Sequence, residues 1–345
     1  MIAVELVRPG EIAVREVPVP HPGPGELLLR VECALTCGTD LKTFRRGHPR
    51  ISLPAPMGHE ASGVVAAIGA GVDGFREGDA IACVPTVPCG ICRLCQRGRD
   101  SLCEHAVGRM NFGAFADYML LSAHIVAGGT FPRPPGMSAD EAAALEPLAC
   151  VVHGARRLAL AHAEHIVILG DGPIALLFLQ VARLRGAGRV LLAGHHAARL
   201  AVAHELGASS VVDSNGSALR AAVSDFTNGT FADVVVECAG TADAWSTAAT
   251  LAGTAGEVML FAGRPSGETA AFDAYRIHYE ETDIKGAFHY GSRDVREALE
   301  LLARREVQIA PLVTHRRPLT RFEEALQLAL ERRALKVAVE PGVLA

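Results

Sequence analysis

Cysteines carry the strongest chemical signal in this chain. Cys89, Cys92, Cys95 and Cys103 follow a C-x2-C-x2-C-x7-C spacing inside the stretch VPTVPCGICRLCQRGRDSLC. Four thiolates on one short loop can close a tetrahedron around Zn²⁺ at Zn–S distances of ~2.3 Å, leaving no position open. Such a lobe draws folding free energy from its metal and performs no chemistry. A second, dispersed set, Cys37, His59 and Glu60 with Glu146 much later, mixes thiolate, imidazole and carboxylate. That is the ligand set of a catalytic zinc with one position left for water or substrate. His59 taken singly reads as a satisfied core histidine, and its company gives it a metal. The two sets together imply an enzyme holding two zinc ions per chain, one structural and one catalytic.

A third constellation is Gly170-Asp171-Gly172-Pro173-Ile174-Ala175, which follows the apolar run IVIL and opens a helical segment. Glycines at 170 and 172 let the backbone turn and approach a pyrophosphate, while the free N–H groups and positive dipole of the helix N-terminus face the anion. The competing interpretation is a tight structural turn. At the end of the next strand, where an NAD site places Asp or Glu against the ribose 2′-OH, the chain reads LLAGHHAARLA with Gly194 at that point. No carboxylate stands there to repel a 2′-phosphate, and His195, His196 and Arg199 are able to meet one. NADP is therefore favoured over NAD.

These groups need a scaffold, and the texture of the chain supplies two. Residues 1 to about 145 are dense in Gly and Pro with short apolar runs such as ELLLRVECAL and ASGVVAAIGA, which predicts a coiled, mostly antiparallel β domain. From Ser138 a helix is expected across SADEAAALEPLACVVHGARRLALA, capped by Ser138 with acidic residues in its first turn. Short buried strands then alternate with helices: HIVILG, RVLLAG, SVVD, ADVVVECAG, GEVMLFAG and TDIKGAFHY. Alternation of this kind builds a doubly wound parallel sheet, the α/β dinucleotide fold. The expected organisation is a catalytic β domain over 1–145 with its cysteine lobe at 84–104, a nucleotide domain over 146–287, and a return through LKVAVEP over 288–345 to the first domain.

Composition narrows the class. The 345 residues favour two domains, and 50% hydrophobic with 21% charged residues permits a large core. A net charge of −5 argues against nucleic acid as the main partner. The first twenty residues lack the pattern of a signal peptide, and the most apolar stretch is broken by Gly, Asp and Pro, so no membrane partner is expected. Nine cysteines, four at metal spacing, are expected to be reduced in the cytoplasm. The sequons at Asn215 and Asn228 then carry no meaning.

The order of these elements resembles the zinc-dependent medium-chain dehydrogenase/reductase family, nearest its sorbitol (iditol) and threonine dehydrogenase branches. The likeness runs through PGPGELLLRVE, CGTD, GHEASGVVAAIGAGVDGFREGDAI, the cysteine lobe, GAFADY, EPLACVVHG, the G-x-G turn and LKVAVE. It implies a GroES-like catalytic domain beside the nucleotide domain. It makes Cys37 and His59 zinc ligands and Glu60 a ligand or near-ligand that exchanges with water. Glu146 stands where many alcohol dehydrogenases have Cys, and in the polyol branch that carboxylate binds the metal or holds its water. Thr39 would hydrogen-bond the substrate oxygen and start the proton relay, and Asp40 would orient His59. Lys42 departs from the pattern, since the family often has the outer relay histidine there; His48 is a weak substitute. Further cofactor contacts are implied at Ile174, Ala262, Gly263, Gly286 and Ala287.

The reaction implied is reversible hydride transfer between a secondary alcohol, polyol or amino alcohol and NADP or NAD. The alternative is a catalytically silent NADP(H)-binding protein of the same fold, whose mark would be lost zinc ligands. The segments 109–113 and 275–279 are candidates to line the substrate pocket, with Arg109 or Arg276 meeting an anionic group. Association into a homodimer or homotetramer is implied by the family.

Overall fold

The computed structural model describes residues 1–47, 51–214 and 218–342, so His48 and the Asn215 sequon lie outside the described residues. The chain forms two compact units: Met1–Ala149 with Gly291–Arg305 and Ile309–Ala345, and Cys150–Tyr290 with Glu306–Gln308. The first division falls four residues beyond the expected 145/146, inside the helix Leu145–Ala155. The second falls at 290/291 where 287/288 was expected. Residues 306–308 join the nucleotide unit because Gln180 grips Gln308 at both ends: its Oε1 accepts the Gln308 N–H at 2.7 Å, and its Nε2 donates to the Gln308 carbonyl at 3.1 Å.

In the first unit the Gly- and Pro-punctuated runs pair into two sheets. Ile2–Arg8 lies between Glu11–Glu16 and Ala55–Pro56. The larger sheet runs in the order Val313–Pro318, Lys336–Glu340, Leu27–Leu35, Ala61–Ile68, Ala80–Cys83, Thr130–Pro132, with Tyr118–Leu121 also pairing with Leu27–Leu35. All of its pairings are antiparallel except Val313–Pro318 with Lys336–Glu340. LKVAVE thus enters the first unit's sheet. The core beneath is built on Leu27, Leu29, Ile81, Phe115 and Leu121, each almost wholly buried.

The expected long helix from Ser138 is two helices. Ser138 caps Ala139–Ala143 in a capping box with Glu141, and a second helix, Leu145–Ala155, begins after Ala144. Pro147 explains the break: without an N–H it belongs in a helix's first turn, where no intrahelical acceptor is needed.

The second unit is a six-stranded parallel sheet in the order Ser210–Asp213, Arg189–Gly194, His165–Leu169, Ala232–Glu237, Ala252–Leu260, Asp283–Gly286. His165–Leu169 is buried at every residue, as near-continuous apolar runs in parallel sheets should be. The strand expected over TDIKGAFHY stops at Gly286, and the residues after it form no ladder. Among the described residues no helix is long and apolar enough to cross a membrane.

Candidate active site

Strand register brings the dispersed set together. Ala34 of Leu27–Leu35 faces Ala61 of Ala61–Ile68, and the Leu35 N–H donates to the Glu60 carbonyl at 3.0 Å. The chain leaving one strand at Cys37 therefore lies beside His59 and Glu60 entering the other. Gly58 has φ +87°, and a Cβ there would stand 2.8 Å from the Phe115 ring and 2.9 Å from its backbone nitrogen. Only glycine makes this turn, which delivers His59 to the interior. On the opposite flank Ala338 faces Leu35, and Val337 and Thr36 exchange hydrogen bonds of 2.9 and 3.1 Å. That pairing carries Lys336 to the same spot.

Cys37 caps the helix Gly38–Arg46, its Sγ accepting the Thr39 N–H at 3.4 Å while its own N–H donates to Asp40 Oδ2 at 2.9 Å. The metal-binding atoms of Cys37, His59 and Glu60 lie within 4.8 Å of one another. Asp40 Oδ1 stands 3.2 Å from His59 Nδ1, close enough to orient the ring by charge although off line for a hydrogen bond. Nε2 is thereby left for a metal. Glu60 is fully buried; its Oε2 accepts from Lys336 Nζ at 2.5 Å, and Lys336 also donates to the Thr36 carbonyl at 3.1 Å. Glu60 Oε1 is buried with no hydrogen-bond partner among the described residues. An orphaned carboxylate oxygen is costly unless something electropositive meets it, and an ion among the thiol, imidazole and Oε1 would do so.

Burial and neighbouring charges shift every group of this cluster. Burial pushes the Cys37 thiol up, and Glu60 adds to the shift. Burial opposes protonation of His59, but Asp40 and Cys37 outweigh it and hold the imidazole well above its ordinary value. Burial raises the Glu60 carboxyl to about 7, with Lys336 pulling it down and Glu146 pushing it up. Burial pulls on Lys336 the other way, yet Glu60 and Cys37 more than compensate, so it stays charged. Glu146, buried in the first turn of Leu145–Ala155, is near enough to act on Glu60 by charge but is not one of the three clustered ligands. Thr39 is exposed beside Cys37, and a cavity of about 20 Å³, room for one water, is bordered by Thr39, Asp40, Thr43, Met57, Gly58 and Phe112. Lys42 is exposed.

The cysteine lobe is built differently. Cys89, Cys92, Cys95 and Cys103 sulfurs all lie within 4.8 Å of one another, with Cys92 and Cys103 Sγ 4.0 Å apart. A tetrahedron with ~2.3 Å bonds has edges of about 3.8 Å, so the cage fits zinc. Backbone N–H groups already serve the sulfurs: Cys92 donates to Cys89 Sγ and Cys89 to Cys103 Sγ, each at 3.3 Å. Backbone donors from Cys95 and Glu104 hold the Cys92 thiol down at about 6, whereas burial and neighbouring Cys92 push Cys95 up to about 12.

In the second unit, register aligns the carboxyl ends of the strands: Leu169 with Ala193 and Glu237, Glu237 with Leu260, and Leu260 with Gly286. Gly170, Gly194, Ala262, Gly263, Gly286 and Ala287 therefore fall along one edge, where open α/β sheets bind ligands. Gly172 caps Pro173–Leu184 with no side-chain bond to the helix N-terminus, and a Cβ on it would meet nothing within 4 Å. Ile174 sits in that first turn. Free N–H groups over open space fit a pyrophosphate. Asp171 Oδ2 accepts from the His195 and His196 N–H groups, both at 2.8 Å, and from His196 Nδ1 at 2.9 Å. Arg199 lies 3.5 Å from Oδ1.

Two residues escaped the sequence reading. Lys336 had a signal, a lone cation inside the apolar strand LKVAV; Asp171 had one too, a carboxylate between two turn glycines. Arg276, a candidate for an anionic group, is engaged by the Ala252 carbonyl and by Glu280 at 3.3 Å, while Arg109 is exposed.

Comparison with known proteins agrees with this architecture. Residues 23–129 match the alcohol dehydrogenase GroES-like domain family, and residues 173–304 match the zinc-binding dehydrogenase family. The chain is similar to sorbitol dehydrogenase of Halalkalibacterium halodurans, 33% identical with 96% of each chain covered. It is likewise similar to D-arabitol-phosphate dehydrogenase of Enterococcus avium, 31% identical over 99% of this chain and 97% of that one. A solved structure described as a zinc-binding dehydrogenase from Sinorhizobium meliloti 1021 bound to NADP superposes with a TM-score of 0.89, 33% identical, covering 99% of both chains. With both domain families matched in order and such likeness along nearly its whole length, the chain belongs to the zinc-binding dehydrogenases of the alcohol dehydrogenase family, zinc-dependent oxidoreductases linked to NAD or NADP.

Proposed function

We propose that this protein oxidises a polyol or related secondary alcohol with NADP⁺, and reduces the corresponding ketone, using Cys37, His59 and Glu60 as its metal-holding groups. The observation that carries the reading is the clustering of those three side chains with Glu60 Oε1 left orphaned in the interior. Relatives named as sorbitol and D-arabitol-phosphate dehydrogenases support the substrate class. Glu146, in place of a fourth soft ligand, supports it too.

Zinc held here supplies Lewis acidity, lowering the pKa of an alcohol hydroxyl toward neutrality. The protein's own groups do the rest. Asp40 fixes the His59 ring so that Nε2 keeps its direction, and Lys336 fixes one oxygen of Glu60. Thr39 accepts the hydroxyl proton and passes it outward; Lys42 is exposed and offers no imidazole at that step, so the proton leaves by way of water. Glu146, close enough to act on Glu60 by charge, would bind the metal or hold water beside it. Gly170, Gly172, Pro173 and Ile174 take the pyrophosphate, and Gly194, Arg199, Ala262, Gly263, Gly286 and Ala287 complete the cofactor's bed, with His195 and His196 beside it. Cys89, Cys92, Cys95 and Cys103 hold a second zinc that only braces the lobe.

We also propose a cytoplasmic setting, supported by nine cysteines of which none is in a disulfide, and association into a homodimer or homotetramer, supported by the outer strand Asp283–Gly286 of the nucleotide sheet. The test is a panel of polyols and secondary alcohols offered with NADP⁺ and NAD⁺ to zinc-loaded protein. Turnover should disappear on chelation and return with zinc; undiminished turnover by protein shown to be metal-free refutes the reading.

A further inference from the structure

We infer that Asp171 is the positioning residue for cofactor choice: its carboxylate fills the space beside Gly194 and holds His196 and Arg199 as the face that receives a 2′-phosphate. This deepens the NADP reading above and rests on it. The first observation is steric. A Cβ built on Gly194 stands 2.5 Å from Asp171 Cβ and 2.6 Å from its Oδ2. The clash involves the first atom of the Asp171 side chain, which no rotamer change moves. Positions 171 and 194 therefore cannot both carry side chains on this backbone. A strand-end carboxylate of the kind that accepts from a ribose 2′-OH is shut out by the turn itself.

The second observation is that the carboxylate already present has little left to offer a ribose. Asp171 is 8% exposed, and Oδ2 takes three donors: the His195 and His196 N–H groups at 2.8 Å and His196 Nδ1 at 2.9 Å. The Arg199 guanidinium at 3.5 Å from Oδ1 offsets its charge. What Asp171 does instead is orientation. With Nδ1 bound, the His196 ring presents Nε2 on its far side, and this side chain keeps 36% of its surface exposed.

The neighbouring histidine is set apart. His195 reaches the next strand end, 3.1 Å from Ser214 Oγ and 3.6 Å from the Asp213 carboxylate. Of the three basic groups named from the sequence, the geometry assigns the phosphate to His196 and Arg199 and leaves His195 to brace the strand ends.

The chain's single tryptophan, Trp245, sits in the same unit, its Nε1 donating to the Ala262 carbonyl at 3.2 Å. Energy transfer from it to bound NADPH or NADH reports binding without turnover, and thermal unfolding of each variant checks that it is folded. Wild-type protein should bind NADPH more tightly than NADH. Asp171→Ala should weaken NADPH about tenfold while NADH stays within about twofold, the scale of one charge-assisted contact. His196→Ala, which spares the turn, should do the same to NADPH, and keeps the proposal testable if the first variant does not fold. Moving the carboxylate with Asp171→Gly plus Gly194→Asp should turn the preference toward NADH. A wild-type preference for NADPH that survives intact in D171A and H196A overturns the inference while leaving the NADP reading standing. Wild-type protein that binds NADH as tightly as NADPH overturns both.

Discussion

The two cysteine-containing sites of the first unit use similar atoms in opposite ways. In the lobe, four sulfurs come from fifteen consecutive residues, backbone N–H groups are aimed at the sulfurs, and no ionisable side chain of another type belongs to the group. At Cys37 the proposed ligands come from two chain segments brought together by strand pairing. Each is braced by a partner of opposite polarity: Asp40 for His59, Lys336 for Glu60, and helix N–H groups for Cys37. Four sulfurs on one local loop would enclose an ion and leave no position for a substrate. Ligands held by separate elements leave a face uncovered and need other charges to keep them in place. At the proposed catalytic position the groups are thus held by buried electrostatics, whereas at the lobe they are held by close spacing and backbone donors.

That contrast can be broken in three places, taken from the largest expected effect. Cys37→Ala or His59→Ala should lower kcat by about three orders of magnitude. Metal analysis should show one zinc lost and the lobe's zinc kept; loss of both would mean that the sites are not independent. Cys95→Ser should do the reverse, releasing the lobe's zinc and lowering the melting temperature by about 10 °C, with kcat at low temperature within about twofold of normal. A collapse of kcat there would deny that the lobe is only a brace. Lys336→Met strands the Glu60 carboxylate in the interior and should cost about 3 kcal/mol in metal-free protein by urea unfolding. Lys336→Arg should recover most of it; equal losses in both would assign the effect to packing.

The smallest effect concerns a pair outside both sites. Asp140, on the capped helix Ala139–Ala143, meets Arg316 at 2.6 Å. Burial would raise its carboxyl, but Ser138 and Arg316 prevail and depress it below its ordinary value. A depressed native value favours the folded state once the unfolded carboxyl has ionised, so the contribution is present above about pH 4 and fades as pH falls through the native value. The gap in urea midpoint between wild type and Asp140→Asn should therefore hold steady from about pH 5 to 8 and close as pH falls through the native value. A gap that persists in acid would show that it is not electrostatic.

Much of this was legible because it is local. The cysteine spacing, the Ser138 capping box and the Gly-Asp-Gly turn between strand and helix each concern residues within one turn or loop, so type and spacing decide the outcome. The helix expected across 138–161 failed at Pro147 for an equally local reason, the missing N–H. The strand expected through TDIKGAFHY ended at Gly286, because strand length is set by what the neighbouring strand offers, and its ladder with Ala252–Leu260 reaches no further than the pair Leu260–Gly286.

What the amino-acid order determined by itself was the inventory: four clustered thiols, a second set of soft and hard ligands, a phosphate turn, and no carboxylate at 194. What only the folded chain decided was which of these meet and in what state. Lys336 reaches Glu60 across 276 residues because two strands flank the same neighbour, and Asp171 excludes a side chain at 194 because two strand ends lie side by side. Spacing along the chain constrains contacts only within a few residues. Beyond that range, strand register and burial set the distances, and with them the charges.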